Sequence, residues 1–368
     1  GNFDDDLNKI KDCDWVIEVI VERLDIKQQL FEKVELHRKA GTLISSNTSG
    51  IPIHMMLEGR SEDFQKHFCG THFFNPPRYL QLLEIIPTPK TEESVVDFLM
   101  EYGAKILGKK TVLCKDTPAF IANRVGVYSI MALFHAVKEM GFSVVEVDKL
   151  SGPILGRPKS ATFRTCDVVG LDTLVHVANG LKQNCPDDEE KDLFELPDYI
   201  SKMVENNWLG SKSGQGFYKK EKDENGKKTI LELDLNTLEY KKSEKVKFPT
   251  LEMAKPIEDL KQRTKMLVMG MDKAGEFYRK IFGGLLAYVS NRIPEISDEF
   301  YKIDDALKAG FGWELGPFES WDLFGYEQGV KFIKDADKTM GAAIDEMREA
   351  GMTSFYKSEN GRKMFFDM

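Results

Sequence analysis

No G-x-G-x-x-G run occurs in these 368 residues, only five are cysteine, and basic side chains are outnumbered by acidic ones. Each shortage removes a class of function. Without the glycine fingerprint, no segment offers the phosphate-cradling turn of a dinucleotide-binding loop. The cysteines, Cys13, Cys69, Cys114, Cys166 and Cys185, are odd in number and widely spaced. Neither a disulfide framework nor a metal site is expected of them, and they read as buried thiols of a reducing, cytoplasmic setting. A net charge of −9 lacks the basic footprint that nucleic acid requires. The most apolar window, 119–137, is interrupted by Arg124 and runs on into Lys138 and Glu139. That fits a buried helix rather than a membrane span of ~20 uncharged residues. With 42% apolar and 30% charged residues, the chain has the balance of a globular protein of two or three domains.

Chemistry concentrates between Ser46 and Glu84. Ser46-Asn47-Thr48-Ser49 is followed by Gly70-Thr71-His72-Phe73-Phe74-Asn75-Pro76-Pro77 and then by Glu84. The apolar runs 66–74 and 79–86 predict two strands, and Asn75-Pro76-Pro77-Arg78 continues neither, so they form a hairpin. His72 and Glu84 are equidistant from Arg78, which sets them opposite each other in an antiparallel pair. A carboxylate held against an imidazole fixes its tautomer and stabilises its protonated form. A solitary histidine on a strand is more often structural. The in-register Glu84, with Asn47 and Ser49 just after an earlier strand at 42–46, points instead to a site at the strand ends of an open α/β sheet.

These motifs, with Lys115-Asp116-Thr117-Pro118 and Asn123-Arg124, closely resemble the 3-hydroxyacyl-CoA dehydrogenase family over almost the whole chain. The phrase Gly156-Arg157-Pro158-Lys159-Ser160-Ala161-Thr162-Phe163-Arg164-Thr165 is similar to the bacterial fatty-acid-oxidation branch, in which two dehydrogenase C-terminal domains are fused to a crotonase-like domain. The resemblance implies a Rossmann-like α/β domain followed by two all-α C-terminal domains. It implies oxidation of an L-3-hydroxyacyl-CoA to the 3-ketoacyl-CoA, with NAD as cofactor. Because the family's glycine loop would precede Gly1, the sequence is expected to be a piece cut inside the cofactor domain, binding NAD weakly and turning over little by itself. In the family's terms His72 is the base, Glu84 its orienting partner, and Ser49 and Asn123 hydrogen-bond the substrate oxygen, which would set the site between domains. The cofactor contacts it implies are Glu22, Lys27, Asn47, Ser49, Asn75 and Lys212, and no metal. Taken singly, Glu22 could merely end a strand, Lys27 be a solvated helix charge, and Asn75 a turn former.

The expected order of elements agrees with that architecture. A strand at 14–22, an amphipathic helix at 25–39 and a strand at 42–46 make a βαβ unit. A helix at 91–107 leads to a strand at 110–114, and Thr117-Pro118 is expected to be the N-cap and first position of a long helix. After a polar stretch at 219–228, segments 229–234 and 238–242 predict an exposed hairpin. An internal repeat follows: Asp148-Lys149-Leu150 through Asp167-Val168-Val169-Gly170 parallels Asp305-Ala306-Leu307 through Asp322-Leu323-Phe324-Gly325. The domains are therefore expected at 1–115 (partial NAD-binding), 116–219 (first helical), 220–254 (linker with hairpin) and 255–368 (second, degenerate helical), the two helical copies packing as an intramolecular pseudo-dimer. Residues 354–368 read as a connection to a further, crotonase-like domain.

Two other functions are open. Ser49, His72 and Glu84 have the types of a hydrolase triad, but no G-x-S-x-G elbow surrounds Ser49. A non-catalytic scaffold would have no physical need for Ser49, His72, Glu84 and Asn123 together. The stretch from Gly103 to Lys110 resembles a phosphate loop but has Lys110 where Ser or Thr must bind the metal.

Overall fold

The computed structural model describes residues 3–222, 228–244, 246–360 and 362–365. Contacts divide the chain into two units, Gly1–Arg124 with Pro294–Gly310, and Val125–Ile293 with Phe311–Met368.

The first unit is α/β. After a single turn, α1 (Phe3–Asp6), come β1 (Trp15–Glu18), α2 (Leu24–His37), β2 (Leu43–Ser46), the short α3 (Glu62–Lys66), β3 (Phe68–Phe73), β4 (Leu82–Pro87), α4 (Glu93–Lys105) and β5 (Lys110–Leu113). The strands form one mixed sheet in the order β1-β2-β3-β4-β5. β1, β2 and β3 are parallel, β4 runs antiparallel to β3, and β5 is parallel to β4. Alternation assigns the two faces. Cys69, Leu83 and Ile85 pack on Val95 and Leu99 of α4. The opposite face carries Phe68, Gly70 and His72 of β3. There Phe68 lies 5.1 Å from the ring of Phe31 in α2. Gly70 has no room for a side chain, because an added Cβ would meet Ile53 Cδ1 at 2.6 Å.

The second unit is mainly helical. The long α5 (Ala122–Glu139) enters it, followed by α6 (Val144–Ser151), α7 (Phe163–Val169), α8 (Leu171–Asn184) and α9 (Asp198–Glu205). A three-stranded sheet of β6 (Tyr218–Lys222), β7 (Lys228–Leu233) and β8 (Tyr240–Lys242) comes next. Then come α10 (Pro249–Ala254), α11 (Leu260–Val268), α12 (Lys273–Asn291), α13 (Phe300–Phe311, largely in the first unit), α14 (Pro317–Phe324), α15 (Tyr326–Asp335), α16 (Ala342–Glu349) and the hairpin β9 (Tyr356–Glu359) and β10 (Arg362–Phe365). Asp167 in α7 accepts the amides of Phe217 and Tyr218, and Asp322 in α14 accepts those of Phe355 and Tyr356. Tyr128 of α5 and Tyr288 of α12 stack at 3.8 Å with planes 2° apart.

Several expectations are corrected. The first strand ends at Glu18 rather than Glu22, because the Glu18 carboxylate turns inward and accepts the amide of Ile20, bending the chain. Thr117-Pro118 does not start the long helix. Ala119 and Phe120 have φ of +61° and +53°, and the helix begins at Ala122. Cys13 is exposed, whereas the other four thiols are buried. Part of the polar stretch at 219–228 is strand β6, paired with β7, and residues 223–227 lie outside the described residues. Of the expected connection at 354–368, residues 356–359 and 362–365 pair as a hairpin, while 361 and 366–368 lie outside the described residues. No helix among the described residues is long and apolar enough to cross a membrane.

Candidate active site

Strand register decides the first pair. His72 of β3 lies directly opposite Glu84 of β4. His72 Nδ1 is 2.7 Å from Glu84 Oε2, with both side chains buried. The other oxygen, Oε1, accepts the amides of Ile121 at 3.2 Å and Ala122 at 2.8 Å. One carboxylate therefore holds the imidazole and caps the amino end of α5, whose first amides have no partner within the helix. That cap comes from a strand 37 residues earlier, which is why Thr117 and Pro118 could not announce it. With Nδ1 engaged, Nε2 is the ring nitrogen left for proton transfer.

Capping at Ala122 fixes the next residue. Asn123 donates from Nδ2 to the backbone oxygen of Ser49 at 3.3 Å. The turn carrying Ser49 is set by Glu22, whose Oε1 accepts the Thr48 hydroxyl at 2.6 Å and the amides of Ser49 at 2.8 Å and Gly50 at 3.1 Å. Asn47 accepts the amide of Phe73 on Oδ1, tying the end of β2 to the strand of His72. Ser49 and Asn123 are thus brought together, as are His72 and Glu84. Among the described residues no hydrogen bond joins Ser49 to His72.

Lys27 is only 1% exposed, so it is no solvated helix charge. Its Nζ reaches both oxygens of Glu18 at 2.8 and 2.9 Å and lies 3.5 Å from Glu22. Glu18 also accepts the Ser46 hydroxyl at 2.5 Å. Sequence reasoning missed Glu18. Its signal was a carboxylate inside the apolar run Trp-Val-Ile-Glu-Val-Ile-Val, which has to find a partner when buried. Asp116 was also passed over. It accepts the amides of Ile53 and His54 and lies 2.7 Å from His54 Nδ1. Asn75 is exposed beyond β3. Lys212 belongs to the second unit, where it pairs with Asp172 at 2.6 Å.

The thiols near this chemistry are inert. Burial, with Glu84 adding to it, pushes Cys114 far above the ordinary thiol range, and burial does the same to Cys69. No group of three or more metal-ligating side chains occurs among the described residues.

Comparison with known proteins bears on the family and the fold. Residues 1–117 match the model of the 3-hydroxyacyl-CoA dehydrogenase NAD binding domain, and residues 120–220 match that of the family's C-terminal domain. A probable 3-hydroxyacyl-CoA dehydrogenase of Bacillus subtilis (strain 168) is 47% identical over 367 residues, covering 100% of this chain and 46% of that protein. The chain spans about half the length of the curated relatives it matches. The crystal structure of M. tuberculosis FadB2 is 32% identical over 58% of this chain and 73% of its own, with a TM-score of 0.54. That of the 3-hydroxybutyryl-CoA dehydrogenase of Escherichia coli K12 shares the fold over 94% of this chain and 83% of its own, at 20% identity and a TM-score of 0.68. The α/β sheet, the helical region after it and the two consecutive domain matches agree: the chain belongs to the 3-hydroxyacyl-CoA dehydrogenase family.

Proposed function

We propose that the first unit carries the proton-transfer site for oxidising an L-3-hydroxyacyl-CoA to the 3-ketoacyl-CoA in fatty-acid β-oxidation, as part of a longer protein. The observation that carries this is the double use of Glu84, which leaves His72 Nε2 as a base of fixed tautomer and ties it to the helix that presents Asn123. His72 takes the hydroxyl proton at Nε2, and Glu84 stabilises the imidazolium that results. Ser49 and Asn123 hold the substrate oxygen while that proton leaves.

The residues at the ends of the parallel strands suit a nicotinamide dinucleotide. Asn47 spends Oδ1 on Phe73, and its Nδ2 donates to no described residue, so a donor remains at the strand end where open sheets bind such ligands. NAD, when bound, supplies the hydride acceptor. Asn47, Ser49, Asn75 and Lys212 are the proposed contacts. Glu22 and Lys27 act on that side by holding the 48–50 turn, because Lys27 is committed to Glu18.

Residues 255–368 are proposed to be a second, degenerate copy of the helical domain, with 1–115, 116–219 and 220–254 as partial NAD-binding domain, first helical copy and linker. The paired bonding of Asp167 and Asp322 and the Tyr128–Tyr288 stack support an intramolecular pseudo-dimer. A chain ending at residue 254 would then uncover an apolar face and self-associate. Four buried free thiols suit a cytoplasmic setting, and a crotonase-like domain is the proposed fusion partner.

The test is NADH absorbance with 3-hydroxyacyl-CoA esters on the full-length protein. His72→Gln is expected to lower kcat on the order of 10²–10⁴-fold with little change in KM. Near-normal kcat would overturn the assignment of the base.

A further inference from the structure

Glu84 fixes the imidazole of His72 along one edge, and a single hydrogen bond at Nδ1 still leaves the ring free to swing about it. Two phenyl rings limit that swing. Phe74 has its centre 4.7 Å from that of the imidazole and Phe120 lies at 5.7 Å, each inclined 58° to it. Both are buried. Phe120 is followed directly by the amides of Ile121 and Ala122 that Glu84 accepts, so it is placed by the same carboxylate that holds the histidine. Phe74 has no such anchor in the sheet, because the pairing of β3 with β4 ends at Phe73.

Its support comes from far along the chain. Residues 294–310 belong to the first unit although they follow most of the second. Asp305 pairs with Lys110 of β5 at 2.8 Å, and Lys115 Nζ donates to the Pro294 carbonyl and to Asp298, each at 2.6 Å. These contacts seat α13, whose buried stripe runs through Ile303, Ala306, Leu307 and Gly310. At Gly310 a Cβ would lie 2.7 Å from Leu82 Cδ2 and 3.3 Å from Phe74 Cε1. Glycine weakens a helix, and the backbone here is not in the left-handed region that would call for it. The close approach is its reason. Leucine can turn its end aside, whereas the phenyl ring can yield only by moving, and the imidazole is its neighbour on β3.

We propose that Gly310 and Phe74 are positioning residues for His72: the bare helix surface at Gly310 sets the depth of the Phe74 ring, and that ring holds the imidazole so that Nε2 keeps its aim. The inference rests on the dehydrogenase reading and adds that a segment of the proposed second helical copy completes the proton-transfer site of the first unit. Aim matters because a displacement of about 1 Å at a reacting group can cost on the order of 10²-fold in rate.

Two measurements test this. In NADH-absorbance assays of the full-length protein, Gly310→Ala should lower kcat about 3-fold and the bulkier Gly310→Val about 10-fold or more, with KM for ester and NAD within about 2-fold. In the 368-residue chain labelled with 15N-histidine, at a pH where the imidazole is neutral, the His72 ring nitrogens should report one tautomer with the proton on Nδ1. Their signals are identified by their loss in His72→Gln. In Gly310→Val they should move towards the average of the two tautomers as the bond to Glu84 loosens. A residue that only packed the helix would change the melting temperature and leave kcat and the ring signals as they were. A folded Gly310→Val with kcat within about 2-fold of the parent, or with unmoved ring signals, would overturn the assignment. Should that variant fail to fold, Gly310→Ala, which favours the helix, decides by the same two readings in smaller measure. Unmoved ring signals beside a His72→Gln that has lost kcat sink this inference alone, whereas near-normal kcat in His72→Gln sinks the dehydrogenase reading.

Discussion

Glu84 in the first unit and Asp148 and Asp167 in the second are all enclosed carboxylates, yet they spend their oxygens differently. Asp148 takes the amides of Thr162 and Phe163 on Oδ1 and the Arg164 amide and Tyr218 hydroxyl on Oδ2. Asp167 takes the amides of Phe217 and Tyr218, one on each oxygen. Glu84 closes on backbone with Oε1 alone and keeps Oε2 for His72. A carboxylate saturated by groups that do not titrate in the working range is an architectural clamp. One that keeps an oxygen for an imidazole would, in the role proposed for His72, join architecture to proton transfer, and loss of its charge should then be felt in the chemistry.

The sharpest way to break this contrast is to neutralise each carboxylate. Glu84→Gln in the full-length enzyme is expected to cut kcat on the order of 10²-fold or more and to alter the pH profile of kcat. Asp167→Asn should leave kcat within a few-fold. If kcat assays showed both changes equally harmful, the distinction would fail. Next in size is a stability effect. Asp167→Ala leaves two amides without their acceptor and should cost about 1–3 kcal/mol in denaturant unfolding, and Asp322→Ala should cost a similar amount through the amides of Phe355 and Tyr356. A large loss at Asp167 with none at Asp322 would argue against equivalent roles in two copies.

A third effect follows from pH. Burial raises Asp148 and Asp167 from the ordinary value of 3.8 to about 6. Between about pH 4 and 6 the folded chain therefore binds protons that the unfolded chain does not. These two groups add stability as pH falls through 6 towards 4 and withdraw it as pH rises through the same window. Melting curves from pH 7 down to 5 should show this gain, and it should flatten in the Asp148→Asn, Asp167→Asn double variant. The smallest effect expected is that of Tyr218→Phe, which removes one hydroxyl donor from Asp148 and should cost about 1 kcal/mol in the same unfolding assay. A loss several times larger would mean that Tyr218 does more than cap a carboxylate.

Much of the site's frame is legible in the sequence. The Asn75-Pro76-Pro77 interruption fixed where the hairpin turns, and period-two alternation then required His72 and Glu84 to face each other, as their pairing shows. The edge of β1 was misread because Val19-Ile20-Val21 has strand character, while the turn is made by Glu18 bonding forward to the Ile20 amide. For Lys27 the sequence offers a cofactor contact or, taken singly, a solvated helix charge, and neither names its partner, because a single helix charge has no visible partner in sequence. Its partner, Glu18, precedes it by nine residues in another element.

What the sequence determined by itself is what depends on neighbours along the chain: the helices and strands, the hairpin register, the repeated Asp-to-Gly segments and the residue types of a dehydrogenase site. What only the tertiary structure decided is which polar groups close on one another. The amides of Ile121 and Ala122 meet Glu84, and Asn123 meets Ser49 across 74 positions. The physical reason is that burial obliges every polar group to find a partner, while the choice of partner is made by packing in three dimensions, where distance along the chain has no bearing.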